Sequence, residues 1–138
     1  MATEIKRAKI RKMIKSECEA TASRKYKTTY KDIKKYFNLI NQGVFFNELA
    51  PFNDIQIKDL TRQKVYGQVV IYNQKRKGTQ QLKLEMSDKY SCFSEFVNTL
   101  GHEMVHLYQL QNCNDSGNHN SLFYSFKPRL KAIGLGQI

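Results

Sequence analysis

Apolar residues recur near the start of the chain as Ile5, Ala8, Ile10, Met13 and Ile14, with Lys and Arg between them. That spacing predicts a basic amphipathic helix over about residues 3–20. A polar break, TASRKYKT, precedes TYKDIKKYFNLIN, where Ile33, Tyr36, Phe37 and Ile40 repeat the helical pattern. The stretch QGVFFNELAPF closes this second helix, with Gly43 and Pro51 as breakers. The period then falls to two, or the apolar run becomes continuous, in DIQIKDL, VYGQVVIY and QLKLEM. These segments predict three antiparallel strands, the last two joined by the hairpin loop NQKRKGTQ. Helical spacing returns from Ser91. Pro128, inside SLFYSFKPRLKAI, predicts a last helix that kinks or restarts there. The order gives an α+β fold, and 138 residues without repeats or a Pro/Gly-rich linker make one domain over 1–138.

The helix after Ser91 carries the candidate chemistry. At about 100° per residue, Phe93, Val97, Leu100, Met104 and Leu107 all point within about 40° of one direction. His102 marks the opposite side, and His106 lies about 40° from it. An i, i+4 pair of imidazoles on a rigid helix supplies two metal ligands at fixed geometry, and Glu103 stands beside the first as a candidate general base. The remaining histidine, His119, follows QNCNDSGN, whose Gly117 and Asn/Asp residues can turn the chain back towards the helix. HExxH arises by chance in roughly three chains per thousand of this composition, so coincidence is a poor account. Two other readings remain at this level. The histidines are ordinary surface or core residues, or they form a closed structural zinc site that needs Cys113 or Asp115 as a fourth ligand and leaves Glu103 without a role.

Charge adds a partner class. The net charge is +11, and residues 1–40 hold twelve Lys or Arg against four Asp or Glu, a net +8. A clustered positive surface attracts polyanions, nucleic acid first, although a solvated helix face is the plainer explanation. The candidate contacts are Lys6, Arg7, Lys9, Arg11, Lys12 and Lys15 of the first helix and Lys75, Arg76 and Lys77 of the hairpin tip. Tyr26, Tyr30, Tyr36 and Phe37 lie among basic residues and are candidates for base stacking, with core packing the better expectation for Tyr36 and Phe37. No apolar run is long enough for a membrane span or a secretory signal. Three scattered cysteines, Cys18, Cys92 and Cys113, suggest neither a disulfide framework nor a four-cysteine zinc ribbon, so a reducing, cytoplasmic setting is expected, nucleoid-associated if DNA is bound.

HEMVHLYQ, the pair His119-Asn120, Phe123 four residues after that histidine, and AIGL near the end resemble the SprT-like (Spartan-type) zinc metallopeptidase domain family. FFNELAPF and the strands leading into the HExxH helix extend the resemblance over about residues 30–138. It implies a zincin-like fold, with His102, His106 and His119 on one Zn²⁺ ion and Glu103 as general base. It also implies protein substrates cleaved in a DNA-associated setting such as DNA–protein crosslink removal. Many relatives append a cysteine zinc ribbon, whereas no cysteine follows Cys113 here. DNA contacts are therefore expected from the basic helix and the Lys75–Lys77 tip. The alternatives are a DNA-binding module on a zincin scaffold without peptidase activity, and a peptidase acting on structural or capsid proteins without DNA. Tyr108 and Tyr124 are secondary candidates for stabilising an oxyanion, with core anchoring the more ordinary role.

Overall fold

Element order is α1 (Ala2–Thr21), β1 (Tyr26–Lys27), α2 (Tyr30–Val44), β2 (Asp54–Lys58), β3 (Gly67–Tyr72), β4 (Gln81–Ser87), β5 (Lys89–Tyr90), α3 (Phe93–Asn112), α4 (Ser121–Tyr124) and α5 (Lys127–Ala132). The computed structural model describes residues 2–21, 24–72, 81–113 and 118–135, with only the backbone of 2–5. The basic tip Lys75–Lys77, Asp115 and Gly117 lie outside these residues. The architecture is α+β, as the apolar patterning predicts. No helix among the described residues is long and apolar enough to cross a membrane.

Helix α2 starts where the sequence supplies a cap. The Thr29 side chain accepts a hydrogen bond from the Asp32 amide, 3.1 Å away, satisfying a donor that the first turn leaves open. Its apolar face, Ile33, Tyr36, Phe37, Ile40 and Val44, is buried. Asn41 then shapes the exit. Its amide donates to the Leu49 carbonyl at 3.0 Å and its carbonyl accepts from the Leu49 amide at 3.1 Å. Between them the chain reverses through left-handed backbone at Phe46 (φ 54°) and Asn47 (φ 62°).

The three-stranded sheet departs from the antiparallel expectation. Its order is β2-β4-β3; β3 and β4 form the antiparallel hairpin, but β2 runs parallel to β4 on the other side. Consecutive strands usually neighbour one another, yet here β4 inserts between β2 and β3. Apolar alternation reports which face of a strand is buried and carries no information about its neighbour. Buried Leu60 anchors the connection from β2 to β3, which turns through Lys64 at φ 56°. A second, two-stranded sheet pairs Tyr26 with Tyr90 and Lys27 with Lys89. Two-residue strands are too short to leave a periodic signal, and TASRKYKT read only as a break.

Helix α3 packs against α1, α2, α4, β3, β4 and β5. Phe93, Phe96, Val97, Leu100, Met104, Val105 and Leu107 are all essentially inaccessible. Each such side chain contributes roughly 1.5–3 kcal/mol through burial. Tyr26, Tyr36, Tyr90, Phe93 and Phe96 form one aromatic cluster at its N-terminal end. Tyr26, Tyr36 and Phe37 are therefore packing residues rather than base-stacking ones, whereas Tyr30 is exposed. At the other end of the chain the last helical stretch divides as Pro128 predicts. Helix α4 ends at Tyr124, and α5 restarts with Pro128 in its first turn, where the missing amide costs nothing. The C-terminal segment closes onto α3 at Gly101, where an added Cβ would lie 3.2 Å from the Leu135 side chain and 3.4 Å from Leu130.

Candidate metal centre

The backbone of α3 carries His102 and His106 one turn apart, and the bend just before α4 returns His119 to them. The three Nε2 atoms form a near-equilateral triangle with sides of 3.2, 3.1 and 3.2 Å. No other His, Cys, Asp or Glu among the described residues joins this group, so Cys113 is not a fourth ligand. A tetrahedral ion at roughly 2.0–2.1 Å from imidazole nitrogens sets them about 3.3–3.4 Å apart, close to the spacing here. The chemistry fits as well. Each Nε2 carries one proton or one lone pair, so three nitrogens facing one another cannot all be satisfied by mutual hydrogen bonds. A cation satisfies all three at once.

Two contacts fix the rings. Phe123 is buried beneath all three, with centroids 4.9 Å from His102, 4.7 Å from His106 and 4.6 Å from His119. Gln109, fully buried and one turn beyond His106, places its Oε1 2.9 Å from His106 Nδ1. Its Nε2 donates to the Asn118 carbonyl at 2.9 Å and to Asn120 Oδ1 at 3.1 Å. Those acceptors orient the amide, so His106 Nδ1–H is the donor to Oε1 and the Nε2 lone pair faces the other histidines. Asn120 Oδ1 also accepts from the Phe123 amide at 3.0 Å, capping α4. One glutamine thus selects the ligating tautomer of His106 and ties down the segment that carries His119.

The electrostatics follow burial. His102 is held neutral, its pKa lowered to about 4 by desolvation and then by the neighbouring His106 and His119. Glu103 is only 5% exposed, and burial pushes its pKa up to about 8. Its Oε2 lies 3.9 Å from His102 Nε2. The helix face opposite the apolar stripe is thus not a solvated one, and the carboxylate beside the ligands sits in a largely dry environment.

The site opens between α3 and β3, an edge strand of the three-stranded sheet. A cleft of about 340 Å³ is bordered by Val69, Ile71, Leu110 and the three histidines. A second, of about 390 Å³, meets it at Val65, Gly67, His102 and Glu103 and extends past Tyr66, Asn98 and Thr99. Gly67 permits this close approach, since a Cβ there would lie 3.0 Å from Thr99 Cγ2 and 3.1 Å from Met86 Sδ. Neither tyrosine singled out near the motif borders these clefts. The Tyr108 hydroxyl donates to Glu48 at 3.1 Å, and its ring packs on Phe45 and Phe126; Tyr124 is half exposed against Phe123. The tyrosine at the site is Tyr66, which lies 36 positions before His102 in the sequence and carried no motif.

Of the candidate polyanion contacts, Arg7, Arg11, Lys12 and Lys15 border one groove between α1 and Ala132 of α5, whereas Lys6 and Lys9 are exposed elsewhere on α1.

No protein-family model, curated protein or solved structure matches the chain.

Proposed function

We propose that this protein is a zinc-dependent endopeptidase of the SprT-like, zincin type. The observation that carries the reading is the Nε2 triangle of His102, His106 and His119, open to a cleft along an edge strand, with the Glu103 carboxylate 3.9 Å from His102 Nε2. When bound, zinc supplies a Lewis acid that polarises a carbonyl and acidifies water. The rest of the work falls to the chain. Glu103 accepts a proton at its carboxylate and returns it to the leaving amine. Gln109 and Phe123 hold the imidazoles in place, so little reorganisation accompanies the reaction. The edge of β3 that no strand among the described residues covers pairs with an extended substrate backbone, and exposed Val65 and Ile71 supply apolar contacts along it. Backbone pairing of this kind selects extended, locally unfolded protein over any one side chain. The net charge of +11 extends the reading to substrates that sit on nucleic acid, where shared binding raises the local concentration of enzyme and target.

The test is metal analysis of the purified chain together with proteolysis of a denatured protein. Wild type is expected to hold one zinc per chain and to cleave. His119→Ala is expected to lose both properties. A chain that binds no divalent metal, or cleaves equally well after chelation, contradicts the proposal.

A further inference from the structure

Phe46 is out of place for an aromatic residue. It adopts left-handed backbone, φ 54°, which is strained for a bulky side chain, and its ring is 45% exposed. Two guanidinium groups accompany it, with the Arg7 carbon 5.2 Å and the Arg129 carbon 5.6 Å from the ring centroid. Arg7 is held in place, because its Nε donates to the Gly43 carbonyl at 2.9 Å while its terminal nitrogens stay available. From Arg7 the positive surface continues into the groove of about 510 Å³ bordered by Arg11, Lys12 and Lys15. These three fall within about 100° of arc on one flank of α1. Among the described residues, no carboxylate makes an ion pair with any of these cations.

The backbone beneath this surface is closely packed. An added Cβ at Gly43 would lie 3.0 Å from Ile133 and 3.2 Å from Ile10, so α2, α5 and α1 meet there at close range. A row of cations on one helix flank, leading to an exposed aromatic ring, matches an alternating ligand of phosphates and planar rings. We infer that this face binds single-stranded nucleic acid, with the backbone in the Arg11–Lys12–Lys15 groove and one unpaired base against the exposed part of the Phe46 ring, beside the guanidinium groups of Arg7 and Arg129. Duplex DNA would use the cations but offers no unpaired base to the Phe46 ring, and an acidic protein or an anionic membrane has no alternation of phosphates and planar rings to match the groove and the ring together. The inference rests on the nucleic-acid part of the proposed function and not on the metal chemistry.

Fluorescence anisotropy of labelled oligothymidylate with the full chain tests it. The expected result is salt-sensitive binding that Phe46→Ala weakens about tenfold and Phe46→Tyr restores, with duplex binding weaker and indifferent to either change. Combining Arg11→Gln, Lys12→Gln and Lys15→Gln is expected to lower the slope of log affinity against log salt by about 2. Circular dichroism checks that each variant is folded, and Phe46→Leu replaces Phe46→Ala if the latter is not. Unchanged affinity on removing the ring, unchanged salt slope in the triple variant, tighter binding of the duplex, or binding to phosphatidylserine vesicles without binding to the oligonucleotide would each overturn the assignment. Zinc content and peptide cleavage are read separately on the same proteins, so failure of the peptidase reading and failure of this one are distinguishable.

Discussion

Gln109 Oε1 lies 2.9 Å from His106 Nδ1, and the same side chain donates to Asn118 and Asn120 on the segment that carries His119. A single buried amide therefore joins two of the three candidate ligands. Gln109→Leu keeps the volume and removes every polar contact. Zinc affinity is expected to fall about 10–100-fold in a chelator-competition titration, with a stability loss of about 1–3 kcal/mol from the orphaned groups. Wild-type affinity in that variant would show that the amide is only a packing element.

Glu103 is expected to make the metal-free protein less stable as pH rises. Its pKa in the folded chain is about 8, against an ordinary 4.5, so the folded state holds the extra proton between those values. Stability is full below about 4.5 and is lost progressively as pH climbs through 8. Glu103→Gln removes this dependence and should raise apoprotein stability at pH 8 by on the order of a few kcal/mol in urea titrations. His102 acts with the opposite sign. Its folded value of about 4 lies below the ordinary 6.5, so stability falls as pH drops from 6.5 towards 4, and this acid limb should survive in Glu103→Gln. Identical pH profiles for the two proteins would refute the burial account.

Ile71 and Val65 are exposed apolar residues bordering the cleft along β3. Replacing either with Asp is expected to change stability by no more than about 0.5 kcal/mol, because neither is in the core. For a protein substrate KM should rise several-fold with kcat nearly unchanged, the signature of lost uniform binding. A fall in kcat at constant KM would place the substrate elsewhere.

Asn41 is buried and makes both hydrogen bonds that close the turn at Leu49. Asn41→Ala leaves the Leu49 amide and carbonyl without these partners. Thermal unfolding should report a loss of about 2–4 kcal/mol. A loss well under 1 kcal/mol would mean that water replaces the side chain and that the turn is held by its backbone alone.

The motif was readable in the sequence because an α-helix fixes it: residues four apart share a face whatever the rest of the chain does. His119 was readable only because no other histidine remained and QNCNDSGN, rich in residues that favour turns, precedes it. The supports were hidden. Gln109 is an ordinary polar residue until the 118–120 segment folds back onto it, and Tyr66 reaches the cleft only because β3 lies beside α3. The helices and the three longer strands followed from periodicity, but the short β1–β5 pair and the strand order did not, since β4 separates two strands that are consecutive in the chain. The basic first helix was evident from composition. Its division into one organised flank and scattered charges depends on α5, and nothing in FFNELAPF sets exposed Phe46 apart from its buried neighbour Phe45.

The most direct test of the metal account compares wild type with Glu103→Gln at equal, measured zinc content on a denatured protein substrate. Both proteins are expected to hold one zinc per chain, and the variant to lose at least about 100-fold in cleavage. Cleavage by the zinc-loaded variant at the wild-type rate would contradict it.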